Sequence, residues 1–344
     1  MKTLSISLAM LGLLAVTALV AWFGAGEIWA AVRSVGWDGF ALLCAWQFVM
    51  FAVLAASWAV IAPPRPRQPA YAGGPVRAPA WMGNYVVYLW GRMVRDSVGN
   101  CLPFTHMGGF IAGTRAVAMH GVTTTHATAS TVADITAEVM SQAIFAAFGL
   151  TVMLLNAPDM PFAWPMAIGL AVMMPVLGAF VAAQQGVGKL FSRLSRRIAG
   201  QWFSNAQERA RVLAAEFALI YGHPRRLAAC VGIHFLGWVC TGVAGWITLR
   251  LLGVGISLVD AIAMEGLLHA LMAMAFLVPG HAGVQEAAYI GLGAAFGVPP
   301  EMALAASLLR RARDLAWGVP VLLVWQGWEL RRLRAQRGIR PSKG

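Results

Sequence analysis

Charged residues are scarce in this chain and make up 12% of its 344 residues. In a soluble domain about a quarter of all residues are charged, so this chain has too little polar surface to cover a water-soluble particle. The scarcity excludes a soluble enzyme and a disordered chain. A hydrophobic content of 59% and a mean hydropathy of +0.68 predict instead an all-α, polytopic membrane helix bundle.

Motifs of common catalytic and metal sites are also missing. The four cysteines contain no CxxC pair, and we interpret them as buried hydrophobic residues rather than as disulfides or zinc ligands. No Gly-rich phosphate loop, GxSxG or HExxH occurs. Glu265 and His269, with His281 and Glu286, form one set that could bind a metal, but histidines at helix breaks more often bond the backbone. We therefore expect no metal, no cofactor and no catalytic residue.

Acidic residues are scarcer than basic ones, with 14 Asp and Glu against 26 Lys and Arg and a formal net charge of +12. No aromatic and basic motif for RNA or DNA is present, so we expect no nucleic-acid partner. Of the basic residues, 18 lie at Lys2, in Pro63–Ala80, in Gln185–Arg226 and after Trp328. Because cytoplasmic loops collect Lys and Arg, both termini are predicted to be cytoplasmic.

Six apolar stretches are predicted to span the membrane. They are Leu4–Phe23, Phe40–Ile61, Ala137–Leu155, Phe162–Ala183, Leu227–Leu251 and a last span that ends near Trp328. We expect one integral-membrane domain, residues 1–330, followed by a basic cytoplasmic tail, residues 331–344. From Gly188 to Tyr221, basic and apolar residues alternate at helical spacing, which predicts an amphipathic helix on the inner membrane face. A regulatory lipid sensor is the alternative.

Two further apolar segments are interrupted by residues that do not continue an ordinary helix. Irregular backbone at membrane depth survives only when it is buried in protein or lines a wet cavity. We therefore predict two broken, re-entrant segments, and we expect Gly109 to tolerate Val less well than Gly149, which lies in a plain span. The glycines and prolines of the two breaks are Pro103, Gly108, Gly109, Pro279, Gly280 and Gly283.

The two breaks resemble each other and follow loops on opposite sides of the predicted membrane. A new helix begins after the second break, with Glu286 in its first turn, where an acid is favourable to the helix dipole. Paired broken helices in two halves of opposite topology mark a site at the midplane. An inverted repeat is therefore one interpretation, and two unrelated breaks are the other.

Charges also fall near the middle of the last span, where they normally pair or face a cavity. We expect Arg311 to face the interior and to meet a carboxylate of another segment, from Asp134, Glu138 or Glu286. A local ion pair between Arg310 and Asp314 is the alternative. Asp134 and Glu138 lie one helical turn apart and each need a cation, which Arg115 or the cluster around Arg310 could supply.

These groups suit the binding and movement of an amphipathic molecule with a polar head, because helix N-termini and midplane cations supply donors. The alternative is that the charges only hold the bundle together. The candidate residues for lipid binding or translocation are Arg95, Pro103, Gly108, Gly109, Arg115, Asp134, Glu138, Pro279, Gly280, Gly283, Glu286, Arg311 and Asp314.

At these motifs the chain resembles the integral-membrane, flippase-like domain of the lysylphosphatidylglycerol synthase superfamily. The resemblance covers roughly Leu4 to Trp328. Two positions depart from it: Phe110 stands where many relatives have an acid, and Thr136 where they often have Arg. The matching features are the run Arg95–Arg115, the acids Asp134 and Glu138, the Pro-Gly-x-x-Gly-x-x-Glu of Pro279–Glu286, and Leu-Leu-x-Arg ending at Arg311.

Within that superfamily, the stretch Leu308–Asp314 is most similar to the hopanoid-biosynthesis-associated, HpnL-type membrane proteins. The resemblance implies a multi-pass protein of the bacterial inner membrane that moves a hopanoid or an anionic phospholipid, with other hopanoid-pathway proteins as partners. Aminoacyl transfer is not expected, because the chain stops soon after Trp328. The alternatives are a non-transporting scaffold of a lipid-biosynthesis complex and an intramembrane lipid-modifying enzyme.

The predicted orientation can be tested at position 200. A cysteine placed there should not react with an impermeant reagent added outside whole cells, because the segment Gln185–Arg226 holds eight of the basic residues. Labelling from the outside would overturn the orientation.

Overall fold

The computed structural model describes residues 25–62, 85–102, 105–156, 201–274 and 283–338, together with scattered positions between 164 and 179. Within these ranges every regular element is helical and no strand occurs. The predicted span Leu4–Phe23, most of Phe162–Ala183 and the residues Pro103, Pro279 and Gly280 lie outside the described residues.

Helices form the whole described framework, which confirms the prediction of an all-α membrane bundle. Three of them contain stretches long and apolar enough to cross a membrane: Ile28–Ile61, Thr124–Leu155 and Pro224–Leu251. In chain order the helices are α1 (Ala25–Ile61), α2 (Tyr85–Cys101), α3 (Thr105–Ala118), α4 (Thr124–Asn156), α5 (Gln201–Tyr221), α6 (Pro224–Leu251), α7 (Leu258–Met274), α8 (Val284–Ala295) and α9 (Pro300–Gly338).

Helix α4 begins well before the predicted span Ala137–Leu155. Its first turns are polar, but they pack on α5, where His126 Nδ1 lies 3.0 Å from Glu216 Oε2 in a buried contact. Asp134 and Glu138 therefore lie well inside a long helix rather than at its start. Helix α5 covers the second part of the amphipathic stretch predicted from Gly188 to Tyr221.

The first break is shorter than predicted, because α2 ends at Cys101 and α3 already begins at Thr105. Gly108 and Gly109 are helical residues of α3, so their assignment to the break was wrong. A Cβ at Gly109 would lie 2.5 Å from the carbonyl oxygen of Arg95. The glycine is thus required for the close approach of α3 to α2 and not for an irregular backbone.

Helix α7 ends at Met274 and α8 begins at Val284, and the residues predicted to form the second break lie outside the described ranges except for Gly283. Gly283 has a φ of 77°, a left-handed conformation that favours glycine. Its backbone N–H donates to the Glu286 carboxylate at 2.9 Å, so this acid caps the start of α8 as well as lying in its first turn.

Two sets of helices repeat the same packing. Helices α1, α2, α3 and α4 contact one another, and α6, α7, α8 and α9 contact one another in the same pairs. Helix α4 packs on α6 and α7, while its counterpart α9 packs on α1 and α2. Helices α2 and α7 both contain 17 residues.

The two sets run in opposite directions. Helices α1 and α6 are antiparallel, because Gly39 lies against Leu251 and Leu54 lies against Gly237. Helix α4 runs parallel to α6, and α9 runs parallel to α1, so the equivalent helices α4 and α9 point in opposite directions. This arrangement agrees with the inverted repeat and not with two unrelated breaks.

Glycine at position 109 can be tested by replacement with Ala. The added methyl meets the carbonyl of Arg95, so we expect Gly109→Ala to lower stability by about 1–3 kcal/mol, read as a lower melting temperature in detergent. Gly149 is no plain control, because a Cβ there would lie 2.5 Å from the carbonyl of Ala263.

Gly232 is the matched control, since no atom lies within 4 Å of its Cβ position in α6. Gly232→Ala should leave the melting temperature unchanged or raise it, because Ala favours a helix by about 1 kcal/mol over Gly. Equal effects at positions 109 and 232 would contradict the close approach of α2 and α3.

Candidate functional site

A cavity of about 330 Å³ lies between the two halves of the bundle. Helices α1, α2, α4, α6, α7 and α9 all contribute to its wall. Its charged lining comes from both halves and consists of Arg92, Arg95, Asp96, Glu138, Arg310, Arg313 and Asp314. We call this space the central cavity.

The first cluster of charges joins α2 to α4. Arg92 Nη2 donates to Glu138 Oε1 at 2.9 Å, and Arg95 Nη1 donates to Asp134 Oδ2 at 2.9 Å. Arg95 also donates to Glu138 through its other terminal nitrogen. The guanidinium of Arg95 lies over the ring of Phe110 at 4.4 Å, which adds a cation–π contact from α3.

Helical spacing explains why these four side chains meet. Arg92 and Arg95 lie three residues apart on α2, and Asp134 and Glu138 lie four apart on α4, so each pair shares one face of its helix. Asp134 is fully buried and both arginines are 4% exposed. A buried charge is tolerated only when it is paired, so the two helices must turn these faces toward each other and bridge them by ion pairs.

Two residues from other helices contact the second carboxylate oxygen of Asp134. His234 Nε2 of α6 donates to Asp134 Oδ1 at 2.9 Å, and Ser57 Oγ of α1 lies 3.1 Å from the same oxygen. The first cluster thus ties three helices, α1, α2 and α6, to one carboxylate of α4. Cys230, with Asp134 and His234, could also offer three ligand atoms to a metal. Arg95 already lies on that carboxylate, however, and its charge disfavours a second cation.

The second cluster lies in the other half, around Glu265 of α7. Arg310 Nη1 of α9 donates to Glu265 Oε2 at 2.9 Å, and the hydroxyl of Tyr289 of α8 donates to Oε1 at 2.6 Å. Arg310 Nη2 lies 3.0 Å from His269 Nε2. Since arginine only donates, Nε2 is the acceptor and Nδ1 carries the proton that bonds the carbonyl of Glu265. His269 is therefore neutral.

The two clusters occupy equivalent places with opposite charges. Arg92 and Glu265 each lie seven residues after the start of their helices, α2 and α7. Asp134 and Arg310 each lie ten residues after the start of α4 and α9. Each cluster therefore pairs its arginines with acids of the same half, and the cation lies on the shorter helix in one half and on the longer helix in the other.

Arg311 meets Glu286, as predicted. Its Nε donates to Glu286 Oε1 at 2.6 Å, and the arginine is 8% exposed. Because Glu286 also caps α8 at Gly283, this carboxylate connects the second break to α9. The pair fixes the end of the break to the middle of the last span.

Two other predicted pairings are wrong. Arg310 does not pair with Asp314, because Glu265 lies closer to its guanidinium, and Asp314 instead accepts from Arg313 Nη2 at 3.0 Å. Arg115 does not reach Asp134 or Glu138. It lies near the end of α3 with its side chain half exposed, and it pairs with Glu329 of α9.

Arg92, Glu265 and Arg310 belong to the two clusters but were not among the predicted site residues. Arg92 could have been found from its spacing to Arg95, since two cations on one helix face require acids opposite. Glu265 and His269 were weighed as metal ligands, but Glu265 is occupied by Arg310 and Tyr289. No sequence signal pointed to the contact of Tyr289 with Glu265, since this contact depends on how α8 packs against α7.

A second space, of about 680 Å³, adjoins the central cavity. It lies between α3 and the beginning of α4 and is lined mainly by apolar and threonine side chains, with Arg115 and Arg332 at its edge. Phe110 and Ile135 line both spaces and therefore form the wall between them. We call the second space the threonine cleft.

The family model for the lysylphosphatidylglycerol synthase TM region matches residues 9–322. The chain belongs to this family. Membership confirms the superfamily resemblance and makes the chain a membrane protein with a lipid-related function. No curated protein and no solved structure matches it. Both charge clusters lie inside the region matched by the lysylphosphatidylglycerol synthase TM family.

Loss of one partner of the pair Arg311–Glu286 should be harmful. Arg311→Met leaves the carboxylate of Glu286 without its guanidinium, and breaking a buried ion pair in this way costs about 3–5 kcal/mol. We expect a lower melting temperature in detergent and a lower folded yield. The double variant Arg311→Met with Glu286→Gln should recover part of both.

Arg331→Ala is the control, because Arg331 lies at an exposed position of the same helix. It should leave the melting temperature and the folded yield nearly unchanged. If Arg311→Met also left both nearly unchanged, the interpretation of Arg311 as a buried, paired charge would fail.

Proposed function

We propose that the protein binds a membrane lipid with its polar headgroup in the central cavity and moves the lipid across the membrane. The observation that carries the proposal is the set of seven charged side chains around this cavity, inside an otherwise apolar bundle. Charged residues within membrane-spanning segments are expensive and mark substrate pathways by default. A scaffold that only held other proteins would not need a charged cavity at its centre.

The inverted arrangement of the two halves supports movement as well as binding. Transporters built from inverted repeats place their substrate site between the halves, beside broken helices, and rock one half against the other. The central cavity lies between the halves here, and Glu286 fixes the second break to α9. The buried arginines of each cluster find their carboxylates in the same half, so the halves can separate without breaking these ion pairs.

The threonine cleft suits the apolar part of the lipid. It adjoins the central cavity through the wall formed by Phe110 and Ile135, and most of its lining is apolar. A lipid lying across this wall would place its headgroup among the charges and its hydrocarbon in the cleft. Phe110 would then lie at the junction of the two parts.

We propose that the lipid is a hopanoid, on the similarity of Leu308–Asp314 to the HpnL-type proteins. The protein would act in the bacterial inner membrane with both termini in the cytoplasm, as the distribution of basic residues favours. Residues 1–330 would form one integral-membrane domain and residues 331–344 a basic tail. Other hopanoid-pathway proteins would be its partners.

A bulky residue at Ala273 tests the proposal. Ala273 lines the central cavity, so Ala273→Trp should fill the cavity without removing an ion pair. In proteoliposomes containing a hopanoid with a diol headgroup, headgroup exposure is followed with an impermeant diol-cleaving reagent. We expect movement to fall at least about tenfold, which corresponds to about 1.4 kcal/mol. Mass spectrometry should show less hopanoid co-purifying with this variant.

Ala287→Trp is the matched control, because Ala287 is an exposed residue of α8 that does not line the cavity. It should move the hopanoid like the unchanged protein. Binding without movement in the unchanged protein would favour the scaffold, and a chemically altered lipid would favour the intramembrane enzyme. Equal movement by the variants at positions 273 and 287 would contradict the central cavity as the site.

A further inference from the structure

Helix α5 (Gln201–Tyr221) lies outside both charge clusters and lines neither the central cavity nor the threonine cleft. It is too polar to cross a membrane, because its sequence contains Glu208, Arg209, Arg211 and Glu216. Helix α6 is long and apolar enough to cross, and it begins at Pro224, directly after the turn that ends α5. The end of α5 therefore lies at the membrane surface.

The side of α5 that faces the bundle is anchored to α4. Phe217 and Ile220 are buried in one apolar cluster with Ala127 of α4. Glu216 lies on the same side, and its Oε2 is 3.0 Å from Nδ1 of the buried His126. Apolar packing and one polar contact thus hold α5 against the first turns of α4.

The opposite side of α5 is apolar and uncovered. Val212 and Leu219 are 41% and 37% exposed, and Ala215 and Ala218 are exposed beside them. These residues share one side of the helix, because they lie three or four positions apart. We call the four residues the outer face. A helix with such a face and several charges suits the boundary between lipid headgroups and acyl chains.

The exposed charge beside the outer face is positive. From position 211 to 226 the sequence contains one acid, Glu216, and that acid is buried. Arg211 and Arg225 are exposed, and Arg226 is partly exposed at the start of α6. Basic residues at a membrane surface attract anionic headgroups. A second copy of the same face would bring equal positive charge and be repelled, so anionic lipid is the occupant that fits.

Helix α5 contacts α4 next to residues of the threonine cleft. His126 lies two positions before Thr128, which lines the cleft. The hydroxyl of Tyr221 is hydrogen-bonded to the side chain of Thr136, and Thr136 follows Ile135 of the wall between the cleft and the central cavity. A shift of α5 would therefore reach the cleft at its edge and at its inner wall.

We propose that α5 docks with its outer face on anionic lipid at the membrane surface, and that this contact regulates lipid movement through α4. Docking holds α5 against the first turns of α4 and keeps the wall of the cleft in place. Anionic lipid then speeds movement without entering the central cavity. The docking stands on the outer face alone, whereas the regulation rests on the proposed function, because it concerns movement along that path.

Fluorescence tests the docking. An environment-sensitive fluorophore on Ala215→Cys is compared in vesicles of phosphatidylcholine and in vesicles with about 30 mol% phosphatidylserine. Its emission should shift to the blue with the anionic lipid, because the outer face then leaves water. Cys101, Cys230 and Cys240 are buried, and the unchanged protein treated with the same reagent gives the background from Cys44.

Arg211→Gln with Arg225→Gln should lose most of the blue shift, because both substitutions remove exposed positive charge beside the outer face. The matched control is Arg33→Gln with Arg250→Gln, which removes two exposed arginines from the first part of α1 and the last turn of α6. The control should keep the shift. Equal emission in the two membranes would overturn the docking. A shift that grows with the ratio of protein to lipid would assign the outer face to a second copy and overturn it as well.

Hopanoid movement in the same vesicles tests the regulation. Movement by the unchanged protein should be at least about threefold faster with phosphatidylserine. Arg211→Gln with Arg225→Gln should remove this difference and leave movement in phosphatidylcholine unchanged. A blue shift without any change in rate would overturn the regulation. No movement in either membrane would contradict the proposed function, while the emission would still decide the docking.

Discussion

Burial of charge inside an apolar bundle is the constraint on which this structure depends. Arg92, Arg95, Arg310 and Arg311 lie where water is largely excluded, and each meets a carboxylate from another helix. A single buried arginine would be unstable, because desolvation is compensated only by a partner in good geometry. The side-chain bridges from α2 to α4 and from α7 to α9, and the packing of α8 on α9, therefore follow from the placement of these pairs.

Close helix contacts make the pairing possible. Helix α3 approaches the backbone of α2 at Gly109, where a side chain would meet the carbonyl of Arg95. In the other half, a Cβ at Gly266 would lie 2.8 Å from the carbonyl of Phe145, so α7 also approaches α4 at a glycine. The central cavity is what remains between helices that are held together by glycine contacts and ion pairs.

The exchanged positions of cation and acid in the two halves bear on the lipid movement proposed above. Since the first cluster joins α2 to α4 and the second joins α7 to α9, the ion pairs of each cluster lie within one half. At Asp134 the contact that crosses between the halves is the hydrogen bond from His234, and Arg115 with Glu329 forms an ion pair across them where the side chain of Arg115 is half exposed. Movement between the halves would thus break contacts of this kind while keeping the buried ion pairs of both clusters intact.

Composition and the position of charge along the chain were enough to predict the helical membrane bundle, the two interrupted segments and a carboxylate partner for Arg311. These features depend on hydropathy and on backbone chemistry, which are local. The assignment of Gly108 and Gly109 to a break failed because glycine serves close packing as readily as irregular backbone. The pairings of Arg92, Glu265, Tyr289 and Arg310 were decided only by the tertiary structure, because each joins helices distant in the chain. Which acid meets which arginine depends on the direction and rotation of those helices, and neither is encoded in local spacing.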